Sequence, residues 1–199
     1  MKNGSRPEIA YIVHQCARFS VAPKIEHAQA IRWLGRYPKS TKDKGLLLQP
    51  DTSKGLELFV DVDFAGNWDP DDTSNIDTSR LRHGFVIKHA NCLISWKSQL
   101  QHEIALSSTE SEYTGLSYTI RDIIPIINIL DEISRTYTLL HGKAQLYLRV
   151  FEDSAGAIEM ATNHKYRPRI KHLNIRLHHF RRYISSGKIK IFKIHTDDQ

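Results

Sequence analysis

The chain has 199 residues, of which 40% are hydrophobic and 25% charged, a balance typical of one globular domain with at most a small appendage. Its two cysteines exclude a disulfide framework, and the lack of an apolar run of roughly 18 residues excludes a membrane span. No secretion signal is visible, so we expect an intracellular protein that is not secreted.

Charge is distributed unevenly along the chain. Residues 1–60 carry a net charge of +5, residues 61–160 a net charge of −7 and residues 161–199 a net charge of +8, within an overall charge of +6. An acidic middle between basic ends favours a cation bound in the middle and phosphates bound by the ends. A solvated surface with uneven charge is the alternative that the composition leaves open.

The first fifty residues predict two helices and a linker. Apolar residues at helical spacing indicate helices over residues 5–20 and 24–37, and the basic, turn-rich segment 36–45 follows them. We place a domain boundary near residue 50.

The rest of the chain predicts an α/β domain with a mixed sheet. The first three strands follow one another and are predicted antiparallel, whereas the last two each follow a helix and are predicted parallel. Pro125 lies inside the longest helix and predicts a kink or a break. In chain order, the elements are strands 56–64, 81–90 and 92–98, helix 107–135, strand 145–153, a short helix capped by Ser154, a basic helix 171–185 and strand 188–194.

Three carboxylates lie where a charge is costly or useful. Asp61 is inside an apolar strand, which is an expensive place for a carboxylate without a partner. Glu112 shares a helical stripe with Leu116 and Ile120 and therefore points inward. Asp153 ends the fourth strand, where α/β sheets gather ligands. Such an oxygen-only set favours Mg²⁺ or Mn²⁺.

Each of these carboxylates also has a plain structural explanation. Asp61 could lie on the exposed face of an edge strand, Glu112 could complement a helix N-terminus, and Asp153 could cap a helix. Zinc, EF-hand, phosphate-loop and GxSxG patterns are missing from the sequence. Metal-assisted phosphodiester chemistry is the interpretation that remains.

Four stretches of residues 56–199 resemble, in order, the ribonuclease H domain of copia-type (Pseudoviridae) LTR retrotransposon Pol polyproteins. They are FVDVDFAGNWDPDDTSN, GFVIKHANCLISWKSQLQHEIALSSTESEYTGLS, FEDSAGAIEMATN and RPRIKHLNIRLHHFRRYISSGKIKIFKIHTDDQ. Residues 5–47 resemble the C-terminal end of the preceding reverse transcriptase. The implied domains are residues 1–50, thumb- or connection-like reverse-transcriptase helices, and residues 51–199, a ribonuclease H-like domain that lacks its final helix.

The resemblance implies a ribonuclease H-like fold and metal-dependent endonucleolytic hydrolysis of the RNA strand of RNA·DNA hybrids during reverse transcription. It assigns catalysis and metal binding to Asp61, Glu112 and Asp153, with two Mg²⁺ (or Mn²⁺) ions at the scissile phosphate. The implied partners are the hybrid and the rest of the Pol polyprotein. The implied location is a cytoplasmic virus-like particle or the nucleus.

The same resemblance assigns the basic tail to the backbone of the hybrid, although a solvated helix face would look the same. His195, near the end of the last strand, could act as a proton shuttle. The residues of the predicted nucleic-acid-binding tail are Lys165, Arg167, Arg169, Lys171, His172, Arg176 and Arg182.

The family's fourth carboxylate lies a few residues beyond the last strand, and this chain stops before it at Asp197 and Asp198. A second functional hypothesis follows: a catalytically weak or inactive retroelement remnant that only binds nucleic acid. Cleavage of a hybrid distinguishes the two hypotheses.

Overall fold

The computed structural model of the protein describes residues 6–63, 70–71, 80–101, 104–105, 107–137, 147–163 and 180–195. Residues 180–185 are helical, and residues 171–179 of the predicted basic helix lie outside the described residues. The other helices are α1 (Ala10–Arg18), α2 (Ile25–Ser40), α3 (Ser108–Thr136) and α4 (Ala155–Thr162), and the strands are β1 (Leu56–Asp63), β2 (Arg82–His89), β3 (Cys92–Leu100), β4 (Leu148–Glu152) and β5 (Ile189–Lys193).

The five strands form one mixed sheet in the order β3-β2-β1-β4-β5. β1, β2 and β3 pair antiparallel, because β3 follows β2 through a two-residue turn at Ala90 and Asn91 with φ values of 49° and 65°. β4 pairs parallel with β1 and with β5, as connections through helices require. The predicted fold class is therefore confirmed: an α/β fold with three antiparallel strands, then two parallel ones, and flanking helices.

The core lies on one face of this sheet, beneath α3. In β1, Leu58 and Val60 are buried on that face, and Phe59 and Asp61 alternate with them onto the other face. Among the described residues, no helix has the length and apolarity needed to cross a membrane. The residues that α3 buries in the core include Leu116, Ile120, Ile123 and Ile127.

Helix α3 runs without interruption through Pro125, so of the predicted kink or break the break is wrong and the kink stays a prediction. The helix begins where Ser107 accepts a hydrogen bond from the N–H of Glu110 at 3.2 Å. Pro125 faces solvent, while buried residues before and after it pack on the same sheet. Proline removes one backbone hydrogen bond, and packing along both halves of the helix offsets that loss.

The N-terminal helix α1 contacts the sheet at β3. Arg82, which is only 4% exposed, lies within 3.0 Å of His14 Nδ1 and donates to Ser98 Oγ at 3.1 Å. Its guanidinium also stacks over the ring of Tyr11 at 5.0 Å. The contacts join α1 to the strands, and the predicted domain boundary near residue 50 stays a prediction.

We expect Gly115→Ala to destabilise the protein by about 1–3 kcal/mol, because a Cβ at this position would lie 2.4 Å from Val62 Cγ2. Urea denaturation measures the change. Gly35→Ala in α2 is the matched control, since nothing lies within 4 Å of its Cβ, and it should be neutral or stabilising. Adding Val62→Ala to Gly115→Ala should recover part of the loss; equal stability of Gly115→Ala and wild type would contradict the close approach.

Candidate metal centre

Parallel pairing of β1 and β4 places two of the predicted carboxylates side by side. Phe59 of β1 is opposite Phe151 of β4, and their rings stack at 4.8 Å. Asp61 and Asp153 each follow one of these phenylalanines by two residues in the chain. The first turn of α3, which packs on β1, adds Glu112. The fold thus brings two of the predicted residues, Glu112 and Asp153, into one cluster, and Asp61 lies near enough to raise the pKa of Glu112.

The carboxylate oxygens form a tight cluster. One oxygen from each of Glu112, Glu152 and Asp153 lies within 4.8 Å of the other two. Asp61 is close enough to act electrostatically on Glu112 and Glu152. Asp61 itself is exposed, because strand alternation puts it on the face opposite the core.

Glu152 is a member of the cluster that the sequence prediction missed. Its side chain is 0% exposed, and its Oε1 accepts a hydrogen bond from the N–H of Ser154 at 3.2 Å. The signal that could have found it is the two-residue period of β4, which places Glu152 on the same buried face as Leu148 and Val150. The tendency of α/β sheets to gather ligands at the ends of strands pointed only to Asp153.

Burial of these carboxyl groups, together with their closeness to one another, disfavours their ionised form. Burial, and then repulsion from Glu152, raises the pKa of Glu112 to about 8. Burial is again the largest cause for Glu152, whose pKa is also raised to about 8 although the N–H of Ser154 opposes the change. The pKa of Asp61 is raised too, first by desolvation of its carboxyl group and then by Asp153.

The cluster has the chemistry of a site for a hard divalent cation. Among the described residues, Glu112 Oε2 and Glu152 Oε2 are buried and have no hydrogen-bond partner. An unpartnered buried carboxylate oxygen is costly, and a bound cation would satisfy it. Oxygen-only ligands suit Mg²⁺ or Mn²⁺ and do not suit softer metals. The residues present therefore fit the predicted metal.

Of the other predicted site residues, the structure describes His195 and Arg182. His195 is exposed and follows Ile194, whose N–H donates to the carbonyl of Glu152 at 3.1 Å, so its backbone lies beside the cluster. Arg182 is exposed, and its guanidinium stacks over Tyr183 at 5.0 Å. Lys165, Arg167, Arg169, Lys171, His172 and Arg176 lie outside the described residues.

Comparison with curated proteins finds relatives that match almost the whole chain. Over 194 residues, 98% of this chain, it is 31% identical to the retrovirus-related Pol polyprotein from transposon TNT 1-94 of Nicotiana tabacum. Over 195 residues it is 28% identical to the corresponding polyprotein from transposon RE1 of Arabidopsis thaliana. Its homologues over 98% of the chain are retrovirus-related Pol polyproteins from copia-type transposons. The chain spans 13% and 12% of the length of these two relatives.

Other comparisons are more limited. No protein-family model matches the chain. Over 120 residues, 60% of this chain and 79% of the relative, it is 31% identical to secreted RxLR effector protein 161 of Plasmopara viticola. Among solved structures, it is similar to RNase H1 from Halobacterium salinarum, with a TM-score of 0.45 and 11% identity over 73% of this chain and 89% of that one.

We expect the metal-free protein to lose stability as the pH rises from about 5 to about 9. Glu112 and Glu152 have folded-state pKa values of about 8, above the ordinary 4.5. Between these pKa values the folded state therefore holds protons that the unfolded state has released. The free energy of unfolding falls as the pH rises through this range, and it stops falling once the pH passes the folded-state pKa. Urea denaturation in EDTA measures the effect.

Glu152→Gln is the control for this pH dependence, because its neutral amide cannot ionise and the loss of stability should become smaller. Adding Mg²⁺ at the higher pH should restore stability in the wild type by mass action. A wild-type free energy of unfolding that does not fall over this pH range would contradict the crowding of the carboxylates.

Proposed function

We propose that this part of the Pol polyprotein is a metal-dependent ribonuclease H that hydrolyses the RNA strand of RNA·DNA hybrids during reverse transcription. The observation that carries the proposal is the carboxylate cluster of Glu112, Glu152 and Asp153, at the start of α3 and the end of β4, with two buried oxygens that lack a hydrogen-bond partner. Similarity to the retrotransposon Pol polyproteins supports a hybrid as the substrate, because reverse transcription produces one.

The four carboxylates would hold the metal with different roles. Glu152 is fully buried and fixed by the N–H of Ser154, which suits an anchor that does not touch the substrate. Asp61 is exposed, so its carboxylate suits a metal ion that also binds the phosphate of the substrate. When bound, Mg²⁺ or Mn²⁺ would supply an activated water and stabilise charge on the phosphate.

The remaining assignments extend this proposal. The basic residues of the tail, Arg182 among the described ones, would position the phosphates of the hybrid, and the 2′-hydroxyls would mark the RNA strand. His195 would be close enough to the cluster to carry a proton, given the backbone contact between Ile194 and Glu152. Residues 1–50 would be the last helices of the reverse transcriptase, docked on the nuclease through α1.

We expect Asp61→Asn to reduce cleavage of the RNA strand of a hybrid by more than about 100-fold, because even removing a group that only supports a metal ligand costs 10–100-fold. Gel analysis of a labelled hybrid with Mg²⁺ or Mn²⁺ measures the loss. Asp43→Asn, an exposed aspartate in the turn after α2, is the matched control and should cleave like wild type. Negligible cleavage by wild type and both variants, with hybrid binding retained, would leave only the remnant hypothesis.

Glu152→Gln separates metal binding from contact with the substrate. Because Glu152 is buried, we expect the variant to need about 10–100 times more Mg²⁺ for half-maximal cleavage, with a smaller change in KM for the hybrid. Titration of Mg²⁺ at fixed hybrid concentration measures the change. An unchanged Mg²⁺ requirement would show that Glu152 lies outside the metal site.

A further inference from the structure

The N-terminal helix α1 packs on the face of the sheet opposite α3. Val62 of β1 faces α3, so Asp63 and its register partner Arg82 point to the other face. Arg82 stacks against the ring of Tyr11 at 5.0 Å, which places α1 on that face. Of the nine described residues of α1, only Ala10 is buried. Because so little apolar surface holds the helix, its polar contacts decide whether it stays docked.

These polar contacts centre on the guanidinium of Arg82, which is almost completely buried. Its Nη1 lies 3.0 Å from His14 Nδ1 and donates to Ser98 Oγ at 3.1 Å. Its Nε and Nη2 are buried and have no hydrogen-bond partner in the part of the chain that the structure describes. A buried charge is costly unless its N–H groups find acceptors. The docking of α1 therefore depends strongly on the two acceptors that Nη1 has.

The contact with Arg82 fixes the protonation state of His14. An arginine stays protonated in proteins and offers only donors, so His14 Nδ1 must accept this hydrogen bond with its lone pair. The imidazole is therefore neutral and carries its proton on Nε2. A second proton would occupy Nδ1, remove the acceptor and place two cations 3.0 Å apart in a buried contact.

The other groups around the contact do not supply the same sensitivity to pH. Tyrosine, arginine and acidic side chains ordinarily keep their charge between about pH 5 and pH 7.5, whereas histidine changes its charge in this range. From α2, His27 stacks on Phe19 at the end of α1 and is the second histidine to consider. The charged and titratable groups near α1 among the described residues are Tyr11, Arg18, Asp63, His27 and the pair Arg6 and Glu8.

We propose that the contact between His14 Nδ1 and Arg82 Nη1 is an acid-sensitive latch, which holds α1 on the sheet while His14 is neutral and releases it when His14 is protonated. Histidine in an unfolded chain takes up its proton near pH 6.5, so release is favoured below that pH. Arg6 donates to Thr41 Oγ1 at 2.6 Å and thereby ties the start of α1 to the end of α2. The latch therefore controls whether both N-terminal helices rest on the sheet of the proposed nuclease.

The latch has the opposite pH dependence to the carboxylate cluster. Glu112 and Glu152, with pKa values raised to about 8, stabilise the folded state more as the pH falls. The latch loosens α1 as the pH falls, because the released helix binds one proton more than the docked one. Loosening of α1 in acid thus cannot arise from the cluster, and the latch requires neither the metal nor hydrolysis of RNA.

Hydrogen exchange of the full chain in EDTA, read by mass spectrometry, tests the latch. A helix of nine residues is marginal in water on its own, so the amides of α1 exchange when the helix is released. His14→Asn offers an amide oxygen as a neutral acceptor that does not titrate. At pH 5 the α1 amides of the wild type should exchange about 30-fold faster than those of His14→Asn, at tenfold per pH unit below pH 6.5. At pH 7.5 the two proteins should exchange alike.

Two further variants isolate the contact. His27→Asn is the matched control, since it removes the other histidine near α1 and should keep the full acid effect of the wild type. Arg82→Met removes the buried cation, so its α1 amides should show no acid effect once intrinsic exchange rates are divided out. Thermal melting at pH 7.5 shows whether His14→Asn is folded; if it is not, Arg82→Met decides.

Equal exchange of α1 in wild type and folded His14→Asn at pH 5 overturns the proposal. An acid effect that disappears in His27→Asn overturns it too, because the sensitive group is then in α2. The amides of β1 are the internal reference, and acceleration there equal to that in α1 would mean global unfolding and would also reject the latch. The expected exchange in a protein that never cleaves RNA supports the latch and rejects only the nuclease activity.

Discussion

The parallel pairing of β1 with β4 is the constraint on which the candidate site depends. It aligns Phe59 with Phe151, and so it brings Asp61 and Asp153, 92 residues apart in the chain, to the same edge of the sheet. A parallel pair needs a long connection, and α3 within that connection carries Glu112 to the same place. One strand pairing therefore assembles acids from three separate segments.

The assembled acids are costly in the absence of a cation. Glu112 and Glu152 both have pKa values raised to about 8, chiefly because burial disfavours their charged forms. Such strain at a cluster is typical of functional sites, where it is relieved when the ligand binds. The fold supports the cluster through close packing nearby, since Gly115 lets α3 approach Val62 of β1 within a distance that no side chain would allow.

Polar groups on two sides of α3 connect this helix to the end of β4 and to the residue that follows β3. On one side the helix presents Glu112 to the end of β4, and on the other side Gln101 bonds the carbonyl of Ser111. The helix is thus held from the edge strand as well as from the core.

The sequence by itself determined the order of the described elements, the mixed sheet and two of the three clustered acids, Glu112 and Asp153, because hydrophobic periodicity and charge placement are local signals. Tertiary structure alone decided that α3 continues through Pro125, since packing on both halves outweighs one lost hydrogen bond. It also added Glu152 and left Asp61 exposed. Which acids meet depends on strand pairing and on the face that each strand turns to its neighbours, and both are set by contacts between distant segments.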